Sequence, residues 1–385
     1  MNTTAARKYK LGFINGPNIR KQQEMDIFQH LAHFDTKFFD SVDDNVSIKK
    51  SDHIQVGLKK LRLNFILSPL YRKNVEYSTT SLINLENIEE HLKKVDVISC
   101  IEIFSSISCQ CAKMADKHGK KLVVSVFETI SNNALHYFLP YYRNTKTVLD
   151  QTNVFIAYSK KSAEYLRRFK VSEDKIKVVY PGIDLKFFSP FVGKRDDGKI
   201  RILFVTGYFN YEKGLSILLP AFSKLHKEFG QVELWICVGR PIGVDAALVY
   251  SYTKKYPVKI ITDVKYSEIP RIYNQCDLFC LASFDRKKFG LKIWEEQFGF
   301  VLIEAMACGL PIVATDCGAI PEVIGSENVL VQQSSVDTLY LGLKKIVEDE
   351  NHRKHLSKVN RSRTEELFNI KNQKLEIDNA LYETL

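Results

Sequence analysis

No stretch of this sequence is apolar over the about 20 consecutive residues that a membrane-spanning helix needs. The first residues, MNTTAARKYKLGFING, include basic side chains but no apolar core like that of a signal peptide. No low-complexity tract is present either. We therefore expect a soluble globular protein that stays in the cytoplasm. Its 385 residues are too many for one ordinary core and predict two domains.

The eight cysteines form no C-x-x-C pair and show no zinc-finger spacing. Most of them lie within apolar runs, so we expect buried, reduced thiols and no disulfides. The nine histidines form no metal-binding set; His352 and His355 lie three residues apart in a polar helical segment, where a solvated face explains them. These residues predict no metal site.

The net charge is +10, from 55 lysines and arginines against 45 acids. The segment LKKLRLNFILSPLYRK (Leu58–Lys73) contains five cations and no acid among apolar side chains. Such a patch could contact an anionic membrane surface or an acidic substrate, or it could be an ordinary basic surface above a core-facing stripe. No nucleic-acid-binding motif accompanies the charge, so we expect no nucleic-acid partner.

Short runs rich in β-branched residues alternate with helical patterns along most of the chain. This alternation is typical of βαβ units, and the continuously apolar runs are typical of buried parallel strands. A segment rich in proline, glycine and charge (Pro181–Lys199) interrupts the alternation, which then restarts. The sequence therefore predicts two α/β halves of similar size, with ligands at the carboxyl ends of the strands.

The stretch EEQFGFVLIEAMACG (Glu295–Gly309) follows one of these strands and a polar loop. It predicts a short helix that begins at Phe300, where the free amides of Phe300 and Val301 would form an anion site suited to a diphosphate. Gly299 would let the ligand approach the backbone. Glu296 and Glu304 would flank that site and accept hydrogen bonds from hydroxyl groups, although a glutamate one turn into a helix often only caps it or faces solvent.

Residues 296–325 resemble the donor-site signature of the retaining GT-B glycosyltransferases of family 4, E-x-F-G-x-x-x-x-E-A-M-A-x-G-x-P-V-V-A-T. The segments VVYPGIDLKFFSP (Val178–Pro190), FVTGYFNYEKGLSILLPAF (Phe204–Phe222) and LWICVGR (Leu234–Arg240) resemble other family motifs in the same order. FET, at residues 127–129, resembles the W-E-N of archaeal-type members. The resemblance covers most of the chain from Lys121 onward.

The resemblance implies a GT-B fold of two Rossmann-like domains that face a cleft. The N-terminal acceptor domain would span residues 1–182 and the C-terminal nucleotide-sugar domain residues 183–365. Residues 366–385 would form a closing helix that packs back toward the N-terminal domain.

The resemblance also implies roles for individual residues. Glu296 would hold the donor sugar, Glu304 the ribose, and Lys213 the diphosphate together with the amides of Phe300 and Val301. Two catalytic roles in the acceptor domain would belong to Glu128 and His136, although His136 could equally be a packed residue. The predicted catalytic set is therefore Glu296, Lys213, Glu128 and His136, and the predicted donor-binding set is Glu296, Phe298, Gly299, Phe300, Val301, Glu304, Lys213 and Gly207.

Three positions depart from the family pattern. Tyr208 replaces an arginine expected five residues before Lys213, and Phe127 replaces a histidine that many relatives place near the donor sugar. Ala319 replaces one glycine of the usual pair before Pro-Glu. Arg240 and Arg286 are candidates for the missing phosphate cation by charge alone.

The implied reaction is sugar transfer from a nucleoside-diphosphate sugar to a saccharide, glycolipid or other hydroxyl acceptor, with retention and without a metal or other cofactor. A front-face substitution or a covalent carboxylate intermediate would both give retention. The alternatives are a GT-B epimerase or phosphorylase, and a catalytically inactive sugar- or nucleotide-binding protein. Peripheral contact with the cytoplasmic face of a membrane, through Leu58–Lys73, is a further expectation.

Overall fold

The computed structural model describes residues 8–16, 25–41, 53–56, 58–60, 83–130, 141–191 and 197–385. The chain divides into two compact units. The first unit comprises residues 1–180 and 371–385, and the second unit comprises residues 181–370. Each unit is built on its own parallel sheet, which confirms the prediction of two α/β domains.

Among the described residues, the sheet of the first unit has seven strands, and each pairing within it is parallel. In chain order the strands of this unit are β1 (Tyr9–Gly16), β2 (Phe34–Ser41), β3 (His53–Val56), β4 (Leu58–Lys60), β5 (Ile83–Leu85), β6 (Val97–Ile101), β7 (Lys121–Val126), β8 (Val154–Ala157) and β9 (Ile176–Val178). The order in the sheet is β3-β2-β1-β6-β7-β8-β9, and β4 pairs with β5 in a separate antiparallel ladder.

The helices that precede the second unit are α1 (Asp26–Phe28), α2 (Glu89–Leu92), α3 (Ser106–His118), α4 (Tyr141–Gln151) and α5 (Lys160–Arg168). Strands β6 and β7 are buried along most of their length, as expected for parallel strands covered on both faces. Ile98 and Cys100 of β6, Leu122 and Val124 of β7, and Ala112 of α3 belong to one apolar core. All eight cysteines of the chain are free and buried, as expected.

The last helix of the chain, Ile370–Tyr382, packs on the first unit. The carboxylate of Asp378 accepts a hydrogen bond from the backbone amide of His33 at 3.1 Å and pairs with the imidazole of the same residue. The ring of Tyr382 stacks on that imidazole with 4.5 Å between centroids. Lys177 and Glu383 form a further ion pair at 2.8 Å.

The second unit contains a six-stranded sheet in which each pairing is parallel. Its strands are β10 (Ile200–Thr206), β11 (Val232–Val238), β12 (Val258–Ile261), β13 (Leu278–Leu281), β14 (Arg286–Lys288), β15 (Leu291–Trp294), β16 (Ile312–Thr315) and β17 (Val329–Val331). The order in the sheet is β12-β11-β10-β13-β16-β17, and β14 and β15 form a separate antiparallel hairpin.

The remaining helices are α6 (Leu215–Glu228), α7 (Ala246–Thr253), α8 (Ile269–Asn274), α9 (Phe300–Ala307), α10 (Ile320–Ile324), α11 (Val336–Glu348), α12 (Glu350–Leu367) and α13 (Ile370–Tyr382), the last of which packs on the first unit. Strands β10, β13 and β16 are neighbours in the sheet. Because parallel strands end at the same edge, the loops that follow these three strands lie side by side.

Candidate active site

Helix α9 begins at Phe300, as the sequence predicts. Gly299 precedes the helix with a φ of +85°, and the amide of Leu302 donates to the carbonyl of Gly299 at 2.9 Å. The amides of Phe300 and Val301 lie in the first turn, where no carbonyl within the helix can accept from them. The helix dipole adds partial positive charge at the same place, so an anionic group such as a diphosphate fits this end of the helix.

Glu296 lies just before this helix and is only 8% exposed. Its Oε2 accepts a hydrogen bond from Ser283 Oγ at 2.8 Å. Lys213 Nζ donates to both carboxylate oxygens, at 2.8 and 3.1 Å. The fold therefore brings together Glu296 and Lys213, which lie 83 residues apart in the sequence. It adds Ser283, which the sequence analysis did not identify because the signature motif gives no sign of it.

Lys213 ends a 3₁₀ turn, Tyr211–Lys213, between β10 and α6. Its Nζ lies 5.1 Å from the centroid of the Trp294 ring, which adds a cation–π attraction to the ion pair. The following residue, Gly214, has a φ of +78°, and a Cβ added to it would lie 1.9 Å from the carbonyl oxygen of Ala282. A residue with a side chain cannot occupy this position, so the Lys-Gly pair determines how closely the turn approaches the end of β13.

The backbone of Glu296 is held as closely as its side chain. The amide of Ala319 donates to the carbonyl of Glu296 at 2.8 Å. Gly318 has a φ of +58°, and a Cβ added to it would lie 1.9 Å from the same carbonyl oxygen. Ala319 itself has a φ of −88°, which any residue adopts. The departure from the family's glycine pair at Ala319 therefore falls on the position that tolerates a side chain.

Glu304 is the second acid of the signature, and it is held differently. It lies within α9, is 6% exposed, and its Oε2 accepts a hydrogen bond from the hydroxyl of Tyr273 at 2.8 Å. Burial raises the pKa of Glu304 to about 7, although the hydrogen bond from Tyr273 opposes this rise. Glu304 therefore changes its protonation state near neutral pH, whereas Glu296 is paired with a lysine.

Phe298 and Gly207 take supporting positions. Phe298 is buried, with its ring centroid 5.4 Å from that of Phe300 and 5.9 Å from that of Phe368, so it contributes to the site through packing. Gly207 follows β10 directly, and its carbonyl accepts from the amide of Arg240 at 2.9 Å. This bond joins the loop after β10 to the loop after β11.

The two candidate phosphate cations lie beside this region. The guanidinium of Arg240 is 5.9 Å from the ring centroid of Tyr208, the residue that replaces the expected arginine. Arg286 Nη1 lies 3.6 Å from the carboxylate of Glu212, the residue before Lys213. Each arginine therefore contacts the segment between β10 and α6, and within the described residues neither forms an ion pair with Glu296.

In the first unit, Glu128 follows β7 and is buried. Its Oε1 accepts hydrogen bonds from the amides of Thr129 and Ile130, at 2.8 and 2.7 Å. Phe127, which replaces the expected histidine, has its ring centroid 4.2 Å from that of Tyr158. This segment is therefore fixed by packing and by its own carboxylate.

Glu102 is a residue that the sequence analysis did not identify. It follows β6 with a φ of +66°, and its Oε1 accepts from the amides of Phe127 and Glu128, at 2.9 and 3.2 Å. Its Oε2 is buried and has no hydrogen-bond partner among the described residues. Burial, and then the charge of Glu128, raise the pKa of Glu102 to about 8. The sequence signal that could have identified Glu102 is an acidic residue directly after an apolar strand, at the edge of the sheet where ligands bind.

Two predictions fall partly or wholly outside the described residues. His136 lies in the undescribed range 131–140, and of the basic segment Leu58–Lys73 only the strand Leu58–Lys60 is described. No helix in the described ranges is long and apolar enough to cross a membrane. Within those same ranges, no three histidine, cysteine or acidic side chains converge in a way that could hold a metal ion.

Two family models match adjacent parts of the chain. The model of glycosyl transferases group 1 matches residues 187–363, and the model of glycosyltransferase family 4 matches residues 59–187. The first match contains Lys213, Ser283, Glu296 and Glu304, and the second contains Glu102 and Glu128.

The chain also matches curated relatives over part of its length. The chain is 29% identical over 228 residues to the MMP α-(1→4)-mannosyltransferase of Mycolicibacterium hassiacum, covering 58% of this chain and 52% of that protein. It is 27% identical over 202 residues to an uncharacterized glycosyltransferase of Methanocaldococcus jannaschii, covering 49% of each. The chain thus spans about half the length of the curated relatives it matches.

The fold is similar to that of HepE of Anabaena, solved in complex with UDP and glucose, with a TM-score of 0.71. The alignment covers 97% of this chain and 99% of that chain at 15% identity. At this identity the likeness shows the fold alone, and it confirms the predicted GT-B architecture of two Rossmann-like domains.

Proposed function

Because this chain belongs to the group 1, or family 4, glycosyltransferases, we propose that it transfers a sugar from a nucleoside-diphosphate sugar to an acceptor hydroxyl. The observation that carries this proposal is the cluster of Lys213, Glu296 and Ser283 beside the start of α9. It combines a cation, a carboxylate and a helix N-terminus, the groups that a diphosphate and a sugar hydroxyl require.

The donor diphosphate would bind at the amides of Phe300 and Val301, with Lys213 as its cation. Lys213 is already poised beside this helix because Glu296 and the ring of Trp294 hold its ammonium group. When the diphosphate takes up part of that charge, oxygens of Glu296 become available to the hydroxyls of the donor sugar. Glu304, deeper in α9, would bind the ribose.

The proposed reaction proceeds with retention by front-face substitution. The bond between the anomeric carbon and the diphosphate oxygen breaks, and the acceptor oxygen bonds to the same face of that carbon. The acceptor proton passes to the leaving phosphate oxygen. Lys213 and the helix amides would stabilise the charge that develops on the diphosphate, so the reaction as proposed uses no metal ion.

We propose that the acceptor is a saccharide or a lipid-linked sugar bound by the first unit. The buried carboxyls of Glu102 and Glu128 follow neighbouring strands of its sheet and form a polar centre at the edge where ligands bind. The basic segment Leu58–Lys73 would suit an acceptor at an anionic membrane. Unchanged liposome binding after its charges are removed would contradict that part of the proposal.

One observation favours a second candidate, an inactive nucleotide-binding protein. Tyr208 and Phe127 stand where the family pattern has an arginine and a histidine, and Phe127 is packed against Tyr158. A protein of this kind would bind the nucleotide without transferring the sugar, so binding and turnover must be measured separately.

The test is thermal stabilisation by UDP, GDP, ADP and their sugar conjugates, beginning with UDP because the HepE structure contains it. A ligand at 100 times its Kd should stabilise the protein by about 2.7 kcal/mol. We expect one nucleotide to stabilise the wild type and the Lys254→Ala control, in which an exposed lysine of the same unit is removed, but not Lys213→Ala.

Turnover is then followed as release of the nucleoside diphosphate, with and without EDTA. Release that depends on acceptor and survives EDTA supports a metal-independent transferase. Binding without release in any acceptor screen supports the inactive protein. If no nucleotide stabilises the wild type, the proposed donor site is wrong.

A further inference from the structure

The hairpin formed by β14 and β15 has an unusual turn. Phe289 and Gly290 connect the strands with φ angles of +50° and +77°. Positive φ at both central residues is the geometry of a type I′ turn, for which Asn-Gly and Asp-Gly are the favoured sequences. A phenylalanine in the left-handed region is an outlier, and such an outlier raises the hypothesis that its side chain has a function.

The tip of the hairpin, Lys287–Leu291, is exposed at all five residues. The ring of Phe289 is 93% exposed and the side chain of Leu291 is 44% exposed. Phe289 and Leu291 lie beside Lys287 and Lys288 at the tip, and the whole hairpin, Arg286–Trp294, contains four cations and no acid. The tip therefore combines two exposed apolar side chains with two neighbouring lysines.

The charges at the base of the hairpin are neutralised, but those at the tip are not. Lys292 pairs with Asp285 and Glu295, at 2.6 Å each, and Arg286 lies 3.6 Å from Glu212. Within the described residues, neither Lys287 nor Lys288 forms an ion pair, and Lys288 Nζ lies 5.7 Å from the centroid of the Phe289 ring.

We propose that the tip, Lys287–Leu291, inserts into the headgroup layer of a membrane that contains anionic lipid. Phe289 and Leu291 enter the boundary between headgroups and acyl chains, and the two lysines bind lipid phosphates. Aromatic side chains flanked by basic ones are the composition that lies at such a boundary.

The shape of the surface favours a membrane over a protein partner. A stable protein interface takes roughly 20–30 residues from each side, whereas this surface is a projecting turn of five residues. A bilayer deforms around a single inserted ring and needs no complementary pocket. The hairpin, Arg286–Trp294, also lies in the chain between Ser283 and Glu296, whose side chains are hydrogen-bonded to each other.

This inference goes beyond the proposed sugar transfer and does not depend on it. Four residues separate Lys287 from Ser283 and five separate Leu291 from Glu296, so membrane contact at the tip would hold the Ser283–Glu296 site at most about 13–17 Å from the headgroups, at a rise of about 3.3 Å per residue. An acceptor whose sugar projects from a membrane surface would then be within reach of that site.

The experiment is co-sedimentation of the full chain with phosphatidylcholine vesicles, with and without phosphatidylserine. Lys287→Gln with Lys288→Gln should lower the partition constant on anionic vesicles about 25-fold, since each surface lysine contributes about fivefold. Phe289→Asn should lower it about tenfold. Because Asn-Gly is a favoured type I′ sequence, this variant keeps the hairpin.

The matched controls are Phe191→Asn and the pair Lys254→Gln with Lys255→Gln, which change the same residue types at other exposed positions of the second unit. Partition constants that fall equally in the controls and the tip variants would overturn the proposal, and so would strong binding that survives all tip changes. A change in oligomeric state of Phe289→Asn by size-exclusion chromatography would instead assign the tip to a protein contact. Phe289→Asn should not change the stabilisation by nucleotide, so a failure of the membrane proposal can be distinguished from a failure of the proposed donor site.

Discussion

Gly318 provides a sharp test of how the donor site is held. Its backbone passes so close to Glu296 that an added Cβ would lie 1.9 Å from the carbonyl oxygen of that residue and 2.8 Å from its amide nitrogen. Ordinary contacts of a Cβ begin at about 3.4 Å. In Gly318→Ala the two segments must therefore move apart, and the carboxylate of Glu296 must move with its backbone.

Two effects contribute to the expected change. Left-handed φ costs a residue with a Cβ roughly 1–2 kcal/mol, which lowers the melting temperature of a unit of this size by roughly 2–8 °C. The displacement of Glu296 comes in addition, and a misplacement of about 1 Å in an active site lowers the rate about 100-fold. We therefore expect a moderate loss of stability and a much larger loss of sugar transfer.

Gly198→Ala is the matched control. Gly198 lies in the same unit with a φ of +68°, and a Cβ added there meets no described atom within 4 Å. Gly198→Ala therefore introduces left-handed backbone strain like that of Gly318→Ala, but its new Cβ causes no steric clash. The assay compares initial rates of nucleoside-diphosphate release and melting temperatures of the two variants. If Gly318→Ala retains a rate within threefold of Gly198→Ala, the close approach to Glu296 does not determine the site geometry.

The remaining predictions concern the two acids whose pKa values are raised. If the carboxylate of Glu304 accepts from the ribose, donor affinity should rise as the pH increases through about 7, and Glu304→Gln should abolish that rise in a titration of Kd against pH; an unchanged profile would contradict the ribose assignment. The raised pKa of Glu102 means that the folded protein binds this proton more tightly than the unfolded chain does, so its contribution to stability is complete below about pH 4.5 and is lost as the pH rises to about 8. Denaturant unfolding should show a loss of up to about 1.4 kcal/mol per pH unit in this window, and Glu102→Gln should remove most of the slope; equal slopes in both proteins would show that Glu102 ionises normally.

The sequence pattern was sufficient to predict most of the buried strands and the helix that begins at Phe300. Strands β7, β8, β10 and β11 are continuous apolar runs because helices cover both faces, and such runs are visible without a structure. Strand β2 was not predicted. Its polar residues, Asp35, Thr36 and Lys37, interrupt the apolar ones, so it lacks the continuous apolar run by which the buried strands were predicted.

The hairpin at 286–294 was interpreted as a polar loop, because its Phe-Gly turn lacks the Asn-Gly or Asp-Gly that marks a two-residue hairpin. The hydrogen-bond partners of the site residues also could not be predicted from the sequence pattern. Ser283 and Tyr273 reach Glu296 and Glu304 across 13 and 31 residues, and Glu102 binds amides 25 and 26 residues away. Such pairs form because the strand order of the sheets brings distant residues together, and a local sequence motif contains no information about strand order.

The closing helix has a consequence for the order in which the chain folds. The second unit is one continuous segment, residues 181–370, and the strands of its sheet are all synthesised by Val331. The first unit starts earlier but includes residues 371–385, and its contact between His33 and Asp378 spans 345 residues. All strands of the first sheet are synthesised by Val178, but the surface that helix α13 covers stays open until the second unit has been synthesised, so the half that is synthesised first is the half that is completed last.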